Sequence, residues 1–249
     1  MKARKVLLIA GWAHTADDLL PLCSLLSRKY DIQATSTAKL FYTNEPSSHA
    51  LPSASQYAKA LYGLAEKTEE SPIIVAWSMG ALVAIEAVTK LKLSVSRLIL
   101  VNGTARFCAD KDYPHGLPEQ NLRAMIAGLT RKPKELLTAF FSDAIFPETD
   151  RSHEIEKRTL TALSLPDEIL KDGLSYLRHT DLRQALSKIN IPTLIIHGRQ
   201  DKIIPSSAGE FLNSYISDSH LVIHEKTGHS LILDQPTMIA EDIRTFMEK

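Results

Sequence analysis

The segment Pro72-Ile73-Ile74-Val75-Ala76-Trp77-Ser78-Met79-Gly80-Ala81-Leu82-Val83-Ala84 carries one hydroxyl where an apolar, β-branched run gives way to small residues and helix formers. That order predicts a strand, a sharp turn and a helix, with Ser78 at the apex. A serine is a weak nucleophile unless its oxygen stands clear of the chain and a base takes its proton. A tight strand–turn–helix join meets the first condition, provided the residues two places to either side are small. The usual spacing is G-x-S-x-G; here Ala76 replaces the first glycine and Gly80 keeps the second. Alanine is the mildest replacement, because the turn asks for missing bulk.

An activated serine also needs a base, and the base an orienting acid. Gly198-Arg199-Gln200-Asp201 follows the apolar run Thr193–His197, and Glu225-Lys226-Thr227-Gly228-His229 follows His220–His224. Each segment puts its functional side chain just past the end of a candidate strand, in the chain order Ser, acid, His. His229, oriented by Asp201, is the expected general base for Ser78. Backbone N–H groups must then meet the negative charge that develops on a carbonyl oxygen. Met79, at a helix start where the dipole assists, is the expected first donor. The second is placed in the loop Gly11-Trp12-Ala13-His14, at the amide of Trp12. The Trp12 indole either walls an acyl pocket or packs beneath neighbouring structure. His14 either lines the site or faces solvent. His197 and His224 lie within strands and read as structural histidines.

Six strand-like runs must position these groups: Val6–Ala10, Ile32–Thr35, Ile73–Ala76, Arg97–Asn102, Thr193–His197 and His220–His224. Helical patterns alternate with them, at Asp17–Arg28, Gln56–Lys67, Gly80–Lys90, Ser206–Tyr215 and Pro236–Met247, and a Pro/Ser-rich loop is expected at Pro46–Ser55. Such alternation predicts right-handed crossovers and a mostly parallel sheet of about six strands covered by helices on both faces. Between Gly103 and about Arg183 the alternation stops. Helical patterns near Pro118–Leu129, Pro133–Phe141, His153–Leu163 and Asp167–Leu177 replace it, with no strand-like run. The expected organisation is a core of residues 1–103 and 186–249, with a helical cap of residues 104–185 inserted after the strand that ends near Asn102.

Composition excludes several classes of function. Of the 249 residues 44% are hydrophobic, and Lys+Arg and Asp+Glu each total 29, so no bulk charge points to nucleic acid or to an anionic membrane. No apolar stretch approaches the ~20 residues of a membrane span. Lys2, Arg4 and Lys5 before Val6–Ala10 imitate the start of a signal peptide, but Asp17 and Asp18 follow soon after, and a buried strand is the better reading. Two cysteines, Cys23 and Cys108, form no disulfide framework and suit a reducing cytoplasm. The nine histidines show no metal-binding spacing. The chemistry expected of Ser78, Asp201 and His229 needs no metal or organic cofactor.

Gly11-Trp12, Ala76–Ala84, Arg106-Phe107-Cys108-Ala109-Asp110-Lys111-Asp112-Tyr113, Leu163-Ser164-Leu165-Pro166 and Thr180-Asp181-Leu182-Arg183-Gln184-Ala185-Leu186 together resemble one family. It is the group of α/β-hydrolases that make pimeloyl-acyl carrier protein for biotin synthesis by hydrolysing its methyl ester. The resemblance covers nearly the whole chain. It implies Ser78, Asp201 and His229 as the triad, Trp12 and Met79 as oxyanion contacts, and substrate contacts at Phe140, Phe141, Ser142, Asp143 and Ala144. It also implies a cytoplasmic serine carboxylesterase, expected to be a monomer, with an acyl ester substrate and acyl carrier protein as a possible partner. A different esterase or a C–C bond hydrolase on the same scaffold, and a non-catalytic ligand receptor, are the rival readings.

Three features depart from that family. The chain begins almost directly at its first core strand, where a leading hairpin is usual. His-Gly before the oxyanion tryptophan is Ala10-Gly11 here, alongside Ala76 in the elbow. The family also holds its acidic carrier with arginines on the insertion. Here residues 104–185 carry 12 Lys/Arg against 13 Asp/Glu, so any basic surface must be local, drawn from Arg131, Lys132, Lys134, Arg151, Lys157 and Arg158.

Overall fold

The structure, a computed structural model, describes residues 3–43 and 53–248. Lys2 of the basic N-terminal run and residues 46–52 of the expected Pro/Ser-rich loop lie outside the described residues.

Six strands make the main sheet: β1 (Lys5–Ala10), β2 (Asp31–Ser36), β3 (Ile73–Trp77), β4 (Arg97–Val101), β7 (Thr193–Gly198) and β8 (Ser219–His224). Two further strands of two residues each, β5 (Cys108–Ala109) and β6 (Leu117–Pro118), pair only with one another. The main sheet runs in the order β2-β1-β3-β4-β7-β8 and every pairing in it is parallel. Alternate residues of the central strands feed opposite faces. Ile74 and Ala76 join the cluster that holds Leu7, Ile9, Leu98 and Leu100, while Ile73, Val75 and Trp77 join the one that holds Val6, Leu8, Ile99 and Val101. Burial on both faces explains why β3 reads as an unbroken apolar run.

The helices flanking the sheet are α1 (Leu20–Leu26), α2 (Thr37–Tyr42), α3 (Gln56–Glu66), α4 (Met79–Lys90), α9 (Ser206–Tyr215), α10 (Leu231–Asp234) and α11 (Pro236–Met247). The helix expected at Asp17–Arg28 is divided into a 3-10 turn, Ala16–Leu19, and the shorter α1. Pro21 has no N–H to give to a preceding turn, so the α-helix proper starts beside it. Helix α2 has no counterpart in the sequence reading. It is too short to show periodicity, and its one local signal is the Ser36 hydroxyl, which accepts the Lys39 amide at 3.2 Å.

Four helices fill most of the stretch between β4 and β7: α5 (Glu119–Arg131), α6 (Pro133–Ile145), α7 (Ser152–Leu163) and α8 (Asp167–His179). The chain enters and leaves this helical segment at one place. Leu182 donates its amide to the Ala105 carbonyl at 2.9 Å, and Arg106 bridges Asp181. The segment also bonds to the core through Tyr57 Oη to Asp172 at 2.7 Å and Tyr176 Oη to the buried Glu86 at 3.0 Å.

Strand order turns back at β1 and β3, so the crevice at their carboxyl ends is where such a sheet takes its ligands. Ser78 follows β3 there, and Gly11 follows β1.

Candidate active site

Ser78 holds φ 58° and ψ −124°, a left-handed backbone that a side chain other than glycine's adopts at a cost. The neighbours show why small residues surround it. A Cβ on Gly80 would lie 2.8 Å from the Ile9 carbonyl oxygen, and one on Gly11 would lie 2.8 Å from the Ser78 Cβ. Ala76, by contrast, carries its methyl in the core cluster between Ile9 and Leu100 without conflict. The departure from the G-x-S-x-G pattern therefore falls at the position that tolerates it.

His229 Nε2 lies 2.9 Å from Ser78 Oγ, and His229 Nδ1 lies 2.7 Å from Asp201 Oδ2. A carboxylate beside Nδ1 keeps the proton on that nitrogen, so the Nε2 lone pair faces the serine hydroxyl. All three side chains are buried. Burial alone would push the Asp201 carboxyl upward. Electrostatic attraction to His229 and hydrogen bonds from His197 and His229 outweigh it, and the group is held well below the usual carboxylate range. Asp201 Oδ1 also accepts the amides of Ile203 at 2.8 Å and Ile204 at 2.9 Å. The carboxylate is thus ionised where it orients the imidazole.

Met79 takes the first position of α4, where a helix has no internal acceptor for its N–H. The Trp12 side chain packs beneath the helical segment: its Nε1 donates to the Leu170 carbonyl at 2.9 Å, and its ring meets Phe140 edge-on with centroids 4.9 Å apart. His14 neither faces solvent nor stands open. It is buried, with its ring 4.4 Å from that of Trp77 and 5.3 Å from that of Phe141. Burial lowers its pKa against the pull of Asp18, whose Oδ2 lies 3.3 Å from Nδ1.

The expected contact run on α6 is split. Phe140, Phe141 and Ala144 are buried, whereas Ser142 and Asp143 are exposed. Successive helical residues turn by about 100°, so five in a row cannot share one face. Ser142 and Asp143 therefore stand on the exposed side of α6, apart from the buried Phe140, Phe141 and Ala144.

Several residues have roles at the site that the sequence did not assign to them. Trp77 Nε1 donates to the His229 carbonyl at 3.0 Å. Asn102, just past β4, gives its Nδ2 to Asp201 Oδ2 at 2.6 Å. Ser230 donates its amide to Ala144 at 2.9 Å and accepts Arg158 Nη1 on its hydroxyl at 3.1 Å. Arg158, buried on α7, also pairs with Glu154 and, at 3.5 Å, with Asp234. His197, read as merely structural, lies 3.4 Å from Asp201 Oδ2 and also contacts the Ile204 carbonyl at 2.9 Å. Strand-end placement could have flagged Asn102. Nothing local could have turned Arg158 from a candidate surface cation into a buried brace.

A strained serine turn, a histidine and an ionised aspartate at the carboxyl edge of a parallel sheet define a class, and the sequence comparisons define the same one. Residues 6–236 match the profile of the alpha/beta hydrolase fold, and the chain belongs to that family. It is 28% identical over 252 residues to the pimeloyl-[acyl-carrier protein] methyl ester esterase of Neisseria meningitidis serogroup B (strain H44/76), covering 98% of this chain and 93% of that protein. It is 25% identical over 250 residues to the protein of the same name from Aliivibrio salmonicida, covering 98% and 92%. Among solved structures, an esterase from Exiguobacterium antarcticum superposes with a TM-score of 0.86 at 21% identity, covering 100% of this chain and 93% of that one.

Proposed function

We propose that this protein is a serine carboxylesterase with Ser78 as nucleophile, His229 as general base and Asp201 as the orienting acid. The observation that carries the reading is the hydrogen-bond chain from Ser78 through His229 to an ionised Asp201, at 2.9 and 2.7 Å. His229 Nε2 takes the hydroxyl proton as Ser78 Oγ attacks the ester carbonyl carbon. The amides of Met79 and Trp12 meet the oxyanion of the tetrahedral intermediate. The imidazolium, stabilised by Asp201, passes its proton to the departing alkoxide, which leaves as an alcohol. Water, deprotonated by the same nitrogen, then attacks the acyl-serine and releases the acid. Residues 1–103 and 186–249 serve as the catalytic core in this reading, with residues 104–185 as the cap.

The substrate we propose is an acyl methyl ester, pimeloyl-[acyl-carrier protein] methyl ester, giving methanol and the free carboxylate in biotin synthesis. Similarity to esterases of that name along nearly the whole chain, helical segment included, supports it. A cytoplasmic setting accords with the free thiols of Cys23 and Cys108. We place an acidic carrier on basic residues that are not held in buried pairs. Arg151 and Arg158 are committed to Asp234 and Glu154, whereas Arg131, Lys132 and Lys134 are exposed around the α5–α6 turn, with Lys132 beside Glu135 at 2.8 Å.

Methanol release from the carrier-bound ester is the test. Ser78→Ala should remove turnover to within about 10³-fold of the uncatalysed rate while leaving the thermal melt intact. Activity near that of the wild type would refute the assignment. Charge reversal at Arg131, Lys132 and Lys134 should raise KM for the carrier ester and leave KM for the same acyl ester without carrier unchanged.

A further inference from the structure

We propose that Asn102 is a positioning residue for the reaction, holding the Asp201 carboxylate on the His229 imidazole and tying the histidine loop to the end of β4. The inference rests on the Ser78–His229–Asp201 reading above. One peptide unit anchors it. The Val101 carbonyl accepts the Ser78 amide at 3.0 Å, and the Asn102 amide of the same unit donates to the Ile196 carbonyl at 2.8 Å. The backbone here is thus bonded both to the nucleophile's turn and to the strand that carries the acid.

The side chain completes the connection. Asn102 is fully buried, and its Nδ2 reaches Asp201 Oδ2 at 2.6 Å and the carbonyl of Gly228, beside His229, at 3.3 Å. Both partners are acceptors, which places the amide nitrogen rather than the oxygen toward them. The other end of the group, Oδ1, is buried with no partner among the described residues. An amide buried only to fill space would carry an unmet acceptor for no gain, and an apolar side chain would do better there. The backbone points the same way. Asn102 sits at φ 45°, a conformation that asparagine tolerates better than most residues.

The pattern of donors on Asp201 shows what Asn102 contributes. The amides of Ile203 and Ile204 hold Oδ1. Oδ2 faces two titratable groups, His229 Nδ1 at 2.7 Å from the loop after β8 and His197 Nε2 at 3.4 Å from β7. Asn102 is the uncharged donor on that oxygen, and it comes from a third element. It fixes the direction of Oδ2, and with it the imidazole that Oδ2 orients, in preference to a swing toward His197.

Steady-state kinetics with pH profiles on Asn102→Ala and Asn102→Asp test this, with fluorophosphonate labelling of wild-type Ser78 as the control. Asn102→Ala should lower kcat by about 10–100-fold with KM within about twofold, since the lost contact acts on the reacting groups and not on substrate binding. Asn102→Asp keeps the shape of the side chain and carries the test if the alanine variant does not fold. Two carboxylates this close share one proton, so kcat/KM should gain an ionisation absent from the wild type. Activity should fall on its alkaline side, where the new carboxyl can no longer donate to Asp201. Wild-type kcat in Asn102→Ala, or an unchanged pH profile in Asn102→Asp, with Ser78 labelled normally, overturns the role of Asn102 alone. Failure of wild-type Ser78 to label overturns the triad reading, and this inference with it.

Discussion

The carboxyl edge of the sheet holds the reacting groups and the underside of the helical segment holds their chain neighbours, and the two do so with different materials. At the edge, strand ends and the loops just past them supply the contacts: Ser78 bonded to Val101, Asn102 to Asp201, and Trp77 to the His229 carbonyl. The parallel register sets these distances, so each functional group has little room to move. On the underside, long side chains reach across a seam. Trp12 donates to Leu170 on α8, and Arg158 on α7 gathers Ser230, Glu154 and Asp234. Burial pushes the Asp234 carboxyl upward against the pull of Arg158 and Arg151. The edge fixes reactivity, and the seam decides whether the segment stays seated over it. Even glycine use reflects this seating, since a Cβ on Gly228 would overlap the carbonyl oxygen of Phe146 at the end of α6.

That contrast implies a graded set of outcomes. The largest should come from the edge. Asp201→Asn replaces a carboxylate that accepts from Ile203, Ile204, Asn102 and His229, turns the His229 tautomer the wrong way, and should cost about 10⁴-fold in kcat with little change in the melting curve. A loss below tenfold would show that the edge is less tightly determined than its geometry implies. The seam should respond in stability first. Arg158→Met removes the buried one of the two cations that Glu154 and Asp234 share, leaves Arg151 in place, and should cost about 2 kcal/mol by denaturant titration. Trp12→Phe removes one donor from Leu170 and keeps most of the packing, so about 1 kcal/mol is expected. A Trp12→Phe effect larger than that of Arg158→Met would invert the ranking within the seam.

The smallest effect concerns pH. His14 is buried and its pKa is lowered on folding. The unfolded chain therefore takes up a proton near pH 6.5 that the native state resists. The stabilisation is complete above that pH and is lost as pH falls toward the lower native value. His14→Asn cannot titrate, so the decline of melting temperature between pH 7 and pH 5 should be shallower in the variant. Parallel declines would mean that His14 has no part in the acid response.

Most of the carboxyl edge was legible in the sequence because its chemistry is local. A residue a fixed number of places past a buried run lands at a strand end whatever else the chain does, and this located Ser78, Asp201 and His229 together. The helices of the segment were legible within a few residues for a similar reason, with Pro133 and Pro166 standing at their starts. What was hidden depended on distance along the chain. Asn102 meets Asp201 across 99 positions, and Arg158 meets Ser230 across 72. The sequence run Phe140–Ala144 did not show that helical rotation divides it between a buried and an exposed side. His197 was assigned to the core because a strand position does not reveal which loop closes over it.

The sequence alone determined the parallel sheet, the serine turn and the order of its partners, since hydrophobic periodicity and turn chemistry act over a few residues. Only the tertiary structure decided that Ala76 is tolerated, that Trp12 belongs to the seam, and that Arg151 and Arg158 are braces within the fold. Those outcomes depend on which surfaces meet, and meeting surfaces are a property of the packed chain.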